Sequence, residues 1–174
     1  MTSPATVAFL NRMRGTGAAV PPRAPWRTIG FAALGGAIAI AVVAALTQGV
    51  DELLILGSFG ATCVLVFGFP DVPFSQPRNI VGGHVLSSFM GLLAVEVLGI
   101  HWWTAAIAVA AAIAGMMVTR TVHPPAGSNP VIVYLLNPDW NFLWFPTLIG
   151  ATLVVAVALV FNNATRPQPY PTYW

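Results

Sequence analysis

The sequence predicts an all-α integral membrane protein, a helical bundle of four clear membrane spans plus two short segments that are broken or re-entrant. Composition is the first reason, because 57% of the 174 residues are hydrophobic and only 7% are charged, whereas about a quarter of a soluble domain is charged. The second reason is the pattern, in which long apolar runs alternate with two shorter runs interrupted by glycine and proline. The length allows a single domain.

Residues 1–27 are predicted to form a basic tail in front of the first span. They contain four arginines, no acidic residue, and three prolines near their end. The prolines separate the tail from the apolar run that follows, and basic residues beside a first span hold the N-terminus in the cytoplasm. The seven arginines of the chain are too few and too dispersed for a nucleic-acid surface.

The predicted transmembrane domain covers residues 28–162, and a short C-terminal tail follows at 163–174. The four clear spans are predicted at residues 28–48, 80–100, 104–119 and 142–161. Asp51 and Glu52 mark an aqueous boundary after the first span, and Trp102 and Trp103 are typical of an interfacial aromatic belt. The tail is rich in proline and aromatic residues, and is predicted to be interfacial or disordered.

The two short apolar segments occupy residues 53–69 and 120–136. Glycines interrupt the first, and Pro124, Pro125 and Pro130 interrupt the second. Each proline removes a backbone donor and disfavours a continuous helix. Broken backbone at membrane depth is tolerated only where it is buried in protein or lines a wet cavity. The segments therefore predict a site for a small polar solute.

The two short segments can be aligned at an offset of 67 residues, so that 60–67 matches 127–134. Each lies between two spans, which makes a unit of helix, short segment and helix that is used twice. Because a unit of three membrane segments is odd, a true repeat makes the two halves inverted. With six crossings and a cytoplasmic N-terminus, Arg78, Arg120 and Arg166 all fall on the cytoplasmic side. Four spans with two re-entrant segments fit the sequence as well.

Paired short segments interrupted by glycine or proline, in corresponding halves of a chain, are typical of the midplane site of a transporter. Half-helices that begin near Gly60 and Gly127 would direct free backbone N–H groups and positive dipole ends at one spot, which favours an anion. The predicted function is therefore a transporter or channel for a small, polar, anionic solute. We expect no cofactor, no metal and no enzymatic activity.

Eleven residues in or beside the short segments are candidates for binding this solute. They are Ser58, Gly60, Thr62, Arg78, Asn79, His84, Arg120, His123, Gly127, Ser128 and Asn129. His123 either exchanges a proton with the solute, since an unperturbed imidazole has a pKa of about 6.5, or only caps the preceding span. His84 is an ionisable group inside a span, which makes it a functional candidate.

The other candidates have structural alternatives too. Arg78 and Arg120 either attract the anion or anchor the ends of spans, and Asn79 either binds the solute or is an N-cap. The serine, threonine and remaining asparagine side chains either donate to the anion or satisfy broken backbone. Cys63 is the only cysteine and is expected to be a packing residue.

The block at residues 121–130, Thr-Val-His-Pro-Pro-Ala-Gly-Ser-Asn-Pro, resembles the HPP family of integral membrane proteins. The blocks at 77–84 and, more loosely, 57–61 resemble the same family in the same order, and the resemblance covers roughly residues 25–165. It implies four transmembrane helices and, from members in cyanobacteria and plastids, nitrite as the leading solute. The expected location is a bacterial inner membrane. Ser128 departs from the family pattern, in which alanine is more usual.

Two other classes of function fit the sequence less well. A metal protein or enzyme would use His84, His101 and His123, yet no carboxylate or thiol cluster and no nucleophile–base pair accompanies them. A non-transporting structural or partner protein would use the glycine-rich helices for assembly alone. For the transporter we expect a small anion, with or without protons, and bilayer lipid as partners. We also expect a homo-oligomer, because small residues favour helix association.

Overall fold

The computed structural model describes residues 4–49 and 54–174, and every regular element in these residues is helical. The α-helices are α1 Pro4–Met13, α2 Trp26–Gly49, α3 Gly57–Gly68, α4 Pro77–Leu98, α5 Trp102–Thr119, α6 Asn129–Leu136 and α7 Ile149–Thr165. Four helical stretches are long and apolar enough to cross a membrane: α2, α4, α5 and Trp140–Thr165, which ends in α7. The predicted all-α membrane bundle is confirmed. The predicted boundary at Asp51 and Glu52 lies outside the described residues.

The second span begins earlier than predicted. Helix α4 starts at Pro77, because the first helical position has no use for an N–H and suits the fixed φ of proline. Arg78 and Asn79 therefore lie in the first turn of the helix. The interpretation of Asn79 as an N-cap is wrong, since Gln76 takes that position without a side-chain bond.

Helices α3 and α6 are too short to cross a membrane, and are termed half-helices here. Their 12 and 8 residues rise about 18 and 12 Å, against a hydrocarbon core of about 30 Å. Extended backbone at Leu56 leads into α3, and a 3₁₀ turn at Pro124–Ser128 leads into α6. The half-helices begin at Gly57 and Asn129, close to but not at the two glycines expected from the sequence.

Helix α3 runs antiparallel to α2. Leu54, just before α3, donates its N–H to Thr47 Oγ1 near the end of α2 at 3.3 Å. The end of α3 lies beside the start of α2, where Phe67 and Arg27 line one cleft. Helix α3 therefore points toward the end of the bundle at which α2 begins. Helix α4 starts at that same end, because a short loop joins it to α3.

Helix α6 runs parallel to α4 and so points the other way. Asn129 at its start contacts Ser88 of α4, and Val133, one turn later, packs against Gly91, also one turn later. The two half-helices therefore have opposite directions, and their first turns face each other inside the bundle. This arrangement brings the polar residues at both starts into one region.

Two glycines let the segments before the half-helices approach the spans. A Cβ built on Gly83 of α4 would lie 2.9 Å from the carbonyl oxygen of Thr121 and 2.8 Å from Cβ of His123. A Cβ built on Gly150 of α7 would overlap the carbonyl oxygen of Leu54. A side chain at either position would require the backbone to move.

Arginine side chains collect at the end of the bundle where α2 and α4 begin, termed here the arginine end. Arg27 and Arg166 line a cleft of about 330 Å³ there, and Arg166 pairs with Asp71 at 2.6 Å. Arg78 donates to the carbonyl oxygen of Thr119 at 3.2 Å. The positive-inside bias predicts that this end faces the cytoplasm.

The C-terminal residues 166–174 fold back onto the bundle, so the prediction of a disordered tail is wrong, while an interfacial position of the tail stays a prediction. Tyr170 is only 3% exposed, and its backbone exchanges two hydrogen bonds with the side chain of Asn163. The segment folds back across the loop between α3 and α4, and is termed the C-terminal strap. Composition does not reveal this order, because the strap bonds to a loop about 95 residues away in the chain.

Candidate functional site

Polar side chains meet where the first turns of α3 and α6 approach α4 and the start of the last span. Eight of them are at most 3% exposed and are termed the central polar cluster. Its members are Ser58, Thr62, His84, Ser87, Ser88, His123, Asn129 and Thr147. Buried polar groups are costly unless they find partners, so their concentration inside a membrane bundle indicates a site.

Two imidazole rings form the middle of the cluster, with their centroids 4.9 Å apart. His123 places Nδ1 2.6 Å from the carbonyl oxygen of Phe74, and His84 places Nδ1 2.9 Å from the carbonyl oxygen of Ile80. A carbonyl oxygen only accepts, so Nδ1 carries the hydrogen in both rings. In the neutral rings Nε2 is therefore the basic nitrogen.

Hydroxyl groups of α3 face both basic nitrogens. Thr62 Oγ1 lies 2.8 Å from Nε2 of His123 and 3.0 Å from the carbonyl oxygen of Ser58, and Ser58 Oγ lies 3.3 Å from Nε2 of His84. The threonine hydroxyl has one hydrogen for two acceptors. It donates to His123 when that ring is neutral, and to the carbonyl when the ring is protonated. His123 can thus gain or lose a proton while keeping its partner.

An amide and two hydroxyls form the other side of the cluster. Asn129 Nδ2 donates to Ser88 Oγ at 2.9 Å, and Ser88 Oγ lies 2.9 Å from Thr147 Oγ1. The other end of the Asn129 amide is buried and has no partner among the described residues. An unpaired buried polar atom costs about 1–3 kcal/mol. This atom is Oδ1, which only accepts, so it marks a place where a water molecule or another hydrogen-bond donor would complete the hydrogen bonding.

Two further bonds hold the broken segment that leads into α6. Asn79 Nδ2 donates to the carbonyl oxygen of Val122 at 2.9 Å, immediately before His123. Ser87 Oγ donates to the carbonyl oxygen of Ala126 at 2.6 Å. The Ala126 carbonyl has no helical donor because residue 130 is proline. Both carbonyl groups bond to side chains of α4, which is how broken backbone is tolerated inside a membrane.

Five of the eleven predicted site residues come together in the cluster, namely Ser58, Thr62, His84, His123 and Asn129. Asn79 holds the adjoining backbone instead. Arg78 and Arg120 are exposed at the arginine end, and Arg120 ends α5 in the left-handed conformation. The described cluster therefore contains no arginine.

The remaining three predicted residues lie outside the cluster. Gly60 faces a groove beside α2. Gly127 and Ser128 belong to the 3₁₀ turn before α6, and the exposed Ser128 hydroxyl donates to the carbonyl oxygen of Pro125 at 2.8 Å. The sequence places these residues close to the site along the chain, but the turn directs Ser128 away from it.

Three members of the cluster are missing from the predicted set. Ser87 and Ser88 lie three and four residues after His84, on one face of α4, and this helical spacing is a signal that identifies them. Thr147 has no such signal. It reaches Ser88 because the last span is broken at Phe145, where the backbone is extended before proline.

The remaining histidine and the cysteine lie away from the cluster. His101 is exposed beyond the end of α4 and stacks on Trp103, with ring centroids 5.1 Å apart. Cys63 is buried and packs 3.6 Å from the position of a Cβ on Gly36. Within residues 4–49 and 54–174, no three His, Cys, Asp or Glu side chains are grouped so as to hold a metal ion.

The pattern of the HPP transmembrane region matches residues 21–171 of the chain. Two proteins of Dictyostelium discoideum, both named as transmembrane proteins, are 34% and 33% identical to it over 180 and 181 residues. These alignments cover 97% of this chain, but only 58% and 64% of the relatives, so the chain spans about three fifths of their length. No solved structure matches it. The chain belongs to the HPP family of integral membrane proteins.

Proposed function

We propose that the protein is a transporter or channel for a small inorganic anion, with nitrite as the leading solute, and that it is not an enzyme. The observation that carries the proposal is the meeting of two oppositely directed half-helices at a buried cluster of imidazole, hydroxyl and amide groups. The anion binds between the starts of the two half-helices. Transporters build their midplane sites from broken helices in this way.

The start of α3 supplies attraction for an anion. The first N–H groups of a helix have no acceptor within the helix, and the helix dipole adds partial positive charge at that end. Leu56 occupies the N-cap position and no side chain caps α3; of its first N–H groups, that of Phe59 donates to the carbonyl oxygen of Leu56. When His84 is protonated, its Nε2–H donates to Ser58 Oγ, which leaves the Ser58 hydroxyl hydrogen for the anion.

A proton on the histidine pair supplies the charge that balances the anion. The described cluster has no arginine, and an unpaired charge buried away from water is strongly disfavoured. The Thr62 hydroxyl can keep a bond to His123 in both protonation states. Binding of one anion together with one proton leaves the cluster neutral, so uptake is coupled to the proton gradient.

The inverted repeat is part of the same proposal. Opposite directions of the half-helices support it, and so do equivalent contacts of the segments that precede them: Gly83 approaches Thr121, and Gly150 approaches Leu54. Leu54 and Thr121 are 67 residues apart, as are Gly83 and Gly150, which is the offset of the sequence alignment. Rocking of one half against the other would open the cluster to each side in turn.

The proposal further places the protein in a bacterial inner membrane, with the arginine end in the cytoplasm, as a homo-oligomer. Support for self-association comes from an exposed apolar groove of about 660 Å³ between α2 and α3, whose lining includes Gly36, Gly60 and Gly68. Small residues allow close approach of helices. Light scattering of the detergent-solubilised protein should give a multiple of the 18.3 kDa chain mass, and the mass of one chain would contradict self-association.

Nitrite flux into proteoliposomes tests the proposed function. With purified protein we expect flux that saturates with nitrite concentration and rises when the inside is made alkaline relative to the outside. Protein-free vesicles of the same lipid measure the leak of nitrous acid, which must be subtracted. Flux equal to this leak, in vesicles that take up solute through a control transporter, would contradict the proposal and favour a non-transporting partner protein.

The neighbouring residues Asn129 and Ser128 offer a matched test of the site. Asn129→Ala removes the buried amide and its bond to Ser88, so we expect nitrite flux to fall by about ten-fold, which corresponds to roughly 1.4 kcal/mol of interaction. Ser128→Ala removes an exposed hydroxyl with a local bond and should leave flux within about a factor of two. Equal effects of the two substitutions would show that the amide has no special role.

A further inference from the structure

Two tyrosines of the C-terminal strap contact the loop between α3 and α4. Tyr170 OH donates to the carbonyl oxygen of Ser75 at 2.8 Å. Tyr173 OH lies 3.2 Å from the carbonyl oxygen of Pro73. Tyr170 thus donates to the third of three successive carbonyl groups in this loop, and Tyr173, whose one hydrogen goes to a different acceptor, contacts the first.

The carbonyl group between these two belongs to Phe74, and it accepts from Nδ1 of His123 at 2.6 Å. A second route joins the strap to the same histidine. Tyr173 OH donates to Asn79 Oδ1 at 2.9 Å, and Asn79 Nδ2 donates to the carbonyl oxygen of Val122, the residue before His123. The strap therefore contacts the residues on both sides of Phe74, whose carbonyl oxygen accepts from the His123 ring. Through Asn79 it is also linked to Val122, the residue before His123.

The strap is itself held in place. Arg166 pairs with Asp71 at its start, and the backbone N–H of Thr172 donates to the side chain of Gln76, a fully buried residue of the loop, at 2.8 Å. Burial raises the pKa of Tyr170 above its ordinary value, so its hydroxyl keeps its hydrogen and remains a donor at neutral and mildly alkaline pH. The contacts are numerous enough to fix the loop carbonyls.

We propose that Tyr170 and Tyr173 of the C-terminal strap are positioning residues for the central polar cluster. By fixing the loop, they hold the Phe74 carbonyl where it accepts from Nδ1 of His123. The hydrogen bond at one ring nitrogen decides which tautomer a histidine adopts. The strap thereby keeps Nε2 free of hydrogen and directed at Thr62. The inference rests on the proposed function in one respect, namely that Nε2 of His123 accepts the proton that balances the bound anion.

Nitrogen NMR of protein labelled with ¹⁵N at histidine measures this tautomer directly, because a ring nitrogen that carries hydrogen differs strongly in chemical shift from one that does not. Only three histidines are present, and His84→Gln and His101→Gln assign the signals. In the wild-type protein, at mildly alkaline pH, we expect His123 to carry hydrogen on Nδ1. In the double variant Tyr170→Phe/Tyr173→Phe, the ratio of the two tautomers should shift roughly five-fold or more toward hydrogen on Nε2, the effect of one typical hydrogen bond.

Two control variants separate positioning from general loosening. Tyr134→Phe removes a hydroxyl from α6 for which the described residues provide no hydrogen bond, and the tautomer ratio should not change. Val154→Ala opens a cavity in the buried core of α7 and lowers stability without touching the strap, again with no expected change. An unchanged ratio in the double variant, or an equal shift in Val154→Ala, would overturn the inference. Absence of wild-type nitrite flux would overturn the proposed function but would not alter this NMR result.

Discussion

Replacement of His123 by glutamine is expected to remove the dependence of nitrite flux on the proton gradient and to lower the flux itself by about ten-fold or more, equivalent to roughly 1.4 kcal/mol. Glutamine can still bond to Phe74 and Thr62, but it cannot hold a proton at neutral pH. A bound anion would then lack its balancing charge inside the cluster. Flux into proteoliposomes, measured with and without an inward proton gradient, gives both quantities.

His101→Gln is the matched control for this experiment. His101 is exposed and stacks on Trp103 away from the cluster, so flux and its dependence on the gradient should stay at wild-type values. If His123→Gln retained full, gradient-driven flux, the histidine would have no role in proton coupling. Loss of flux in both variants would instead point to a general effect of removing an imidazole, such as reduced insertion into the vesicles.

Gly150→Ala is expected to lower the free energy of unfolding by about 1–3 kcal/mol, the usual range for overpacking. The added Cβ would overlap the carbonyl oxygen of Leu54 and lie 2.5 Å from Cε2 of Phe59, so backbone must move. Each kcal/mol should lower the apparent Tm by about 2–4 °C for a chain of this length. Thermal unfolding of the protein in detergent, followed by intrinsic tryptophan fluorescence, measures the change.

Substitutions at two other glycines provide comparisons for the Tm of Gly150→Ala. Gly30→Ala adds the same methyl group to α2 where no atom lies within 4 Å, so its Tm should be equal or slightly higher, since alanine favours a helix by up to about 1 kcal/mol. Gly83→Ala should resemble Gly150→Ala in stability and also reduce nitrite flux, because its Cβ would push against His123. A Gly150→Ala protein as stable as Gly30→Ala would refute the close packing of α7 against the segment before α3.

Much of the membrane architecture could be predicted because it depends on local composition. Long apolar runs with few charges can be stable only as spans, and α2 begins at Trp26, two residues from the predicted boundary. The two broken segments were equally visible, through glycines in the first and through Pro124 and Pro125 in the second, whereas Pro130 lies in the first turn of α6. The boundary at Pro77 was missed because the preceding loop is also rich in proline, and composition does not distinguish a loop proline from one that begins a helix.

The site could be predicted only in part. His84 and His123 stood out as ionisable residues in apolar surroundings, and the structure brings their rings to 4.9 Å. Arg78 and Arg120 carried the strongest charge signal, yet both side chains are exposed at the arginine end, because a guanidinium group near the end of a span is more stable in water than inside. Thr147 gave no signal, since its contact with Ser88 depends on a break in a different span.

The sequence by itself determined that this chain lies in a membrane, that four of its helices can cross it, and that two segments break near polar residues. These properties follow from hydrophobicity and proline content, which act over a few turns of chain. Only the tertiary structure decided that the half-helices face each other, that Ser88 and Thr147 join the cluster, and that the C-terminal strap holds the loop beside His123. Each of these depends on hydrogen bonds between residues about 40 to 100 positions apart, and such pairings arise from packing of helices that no local pattern encodes.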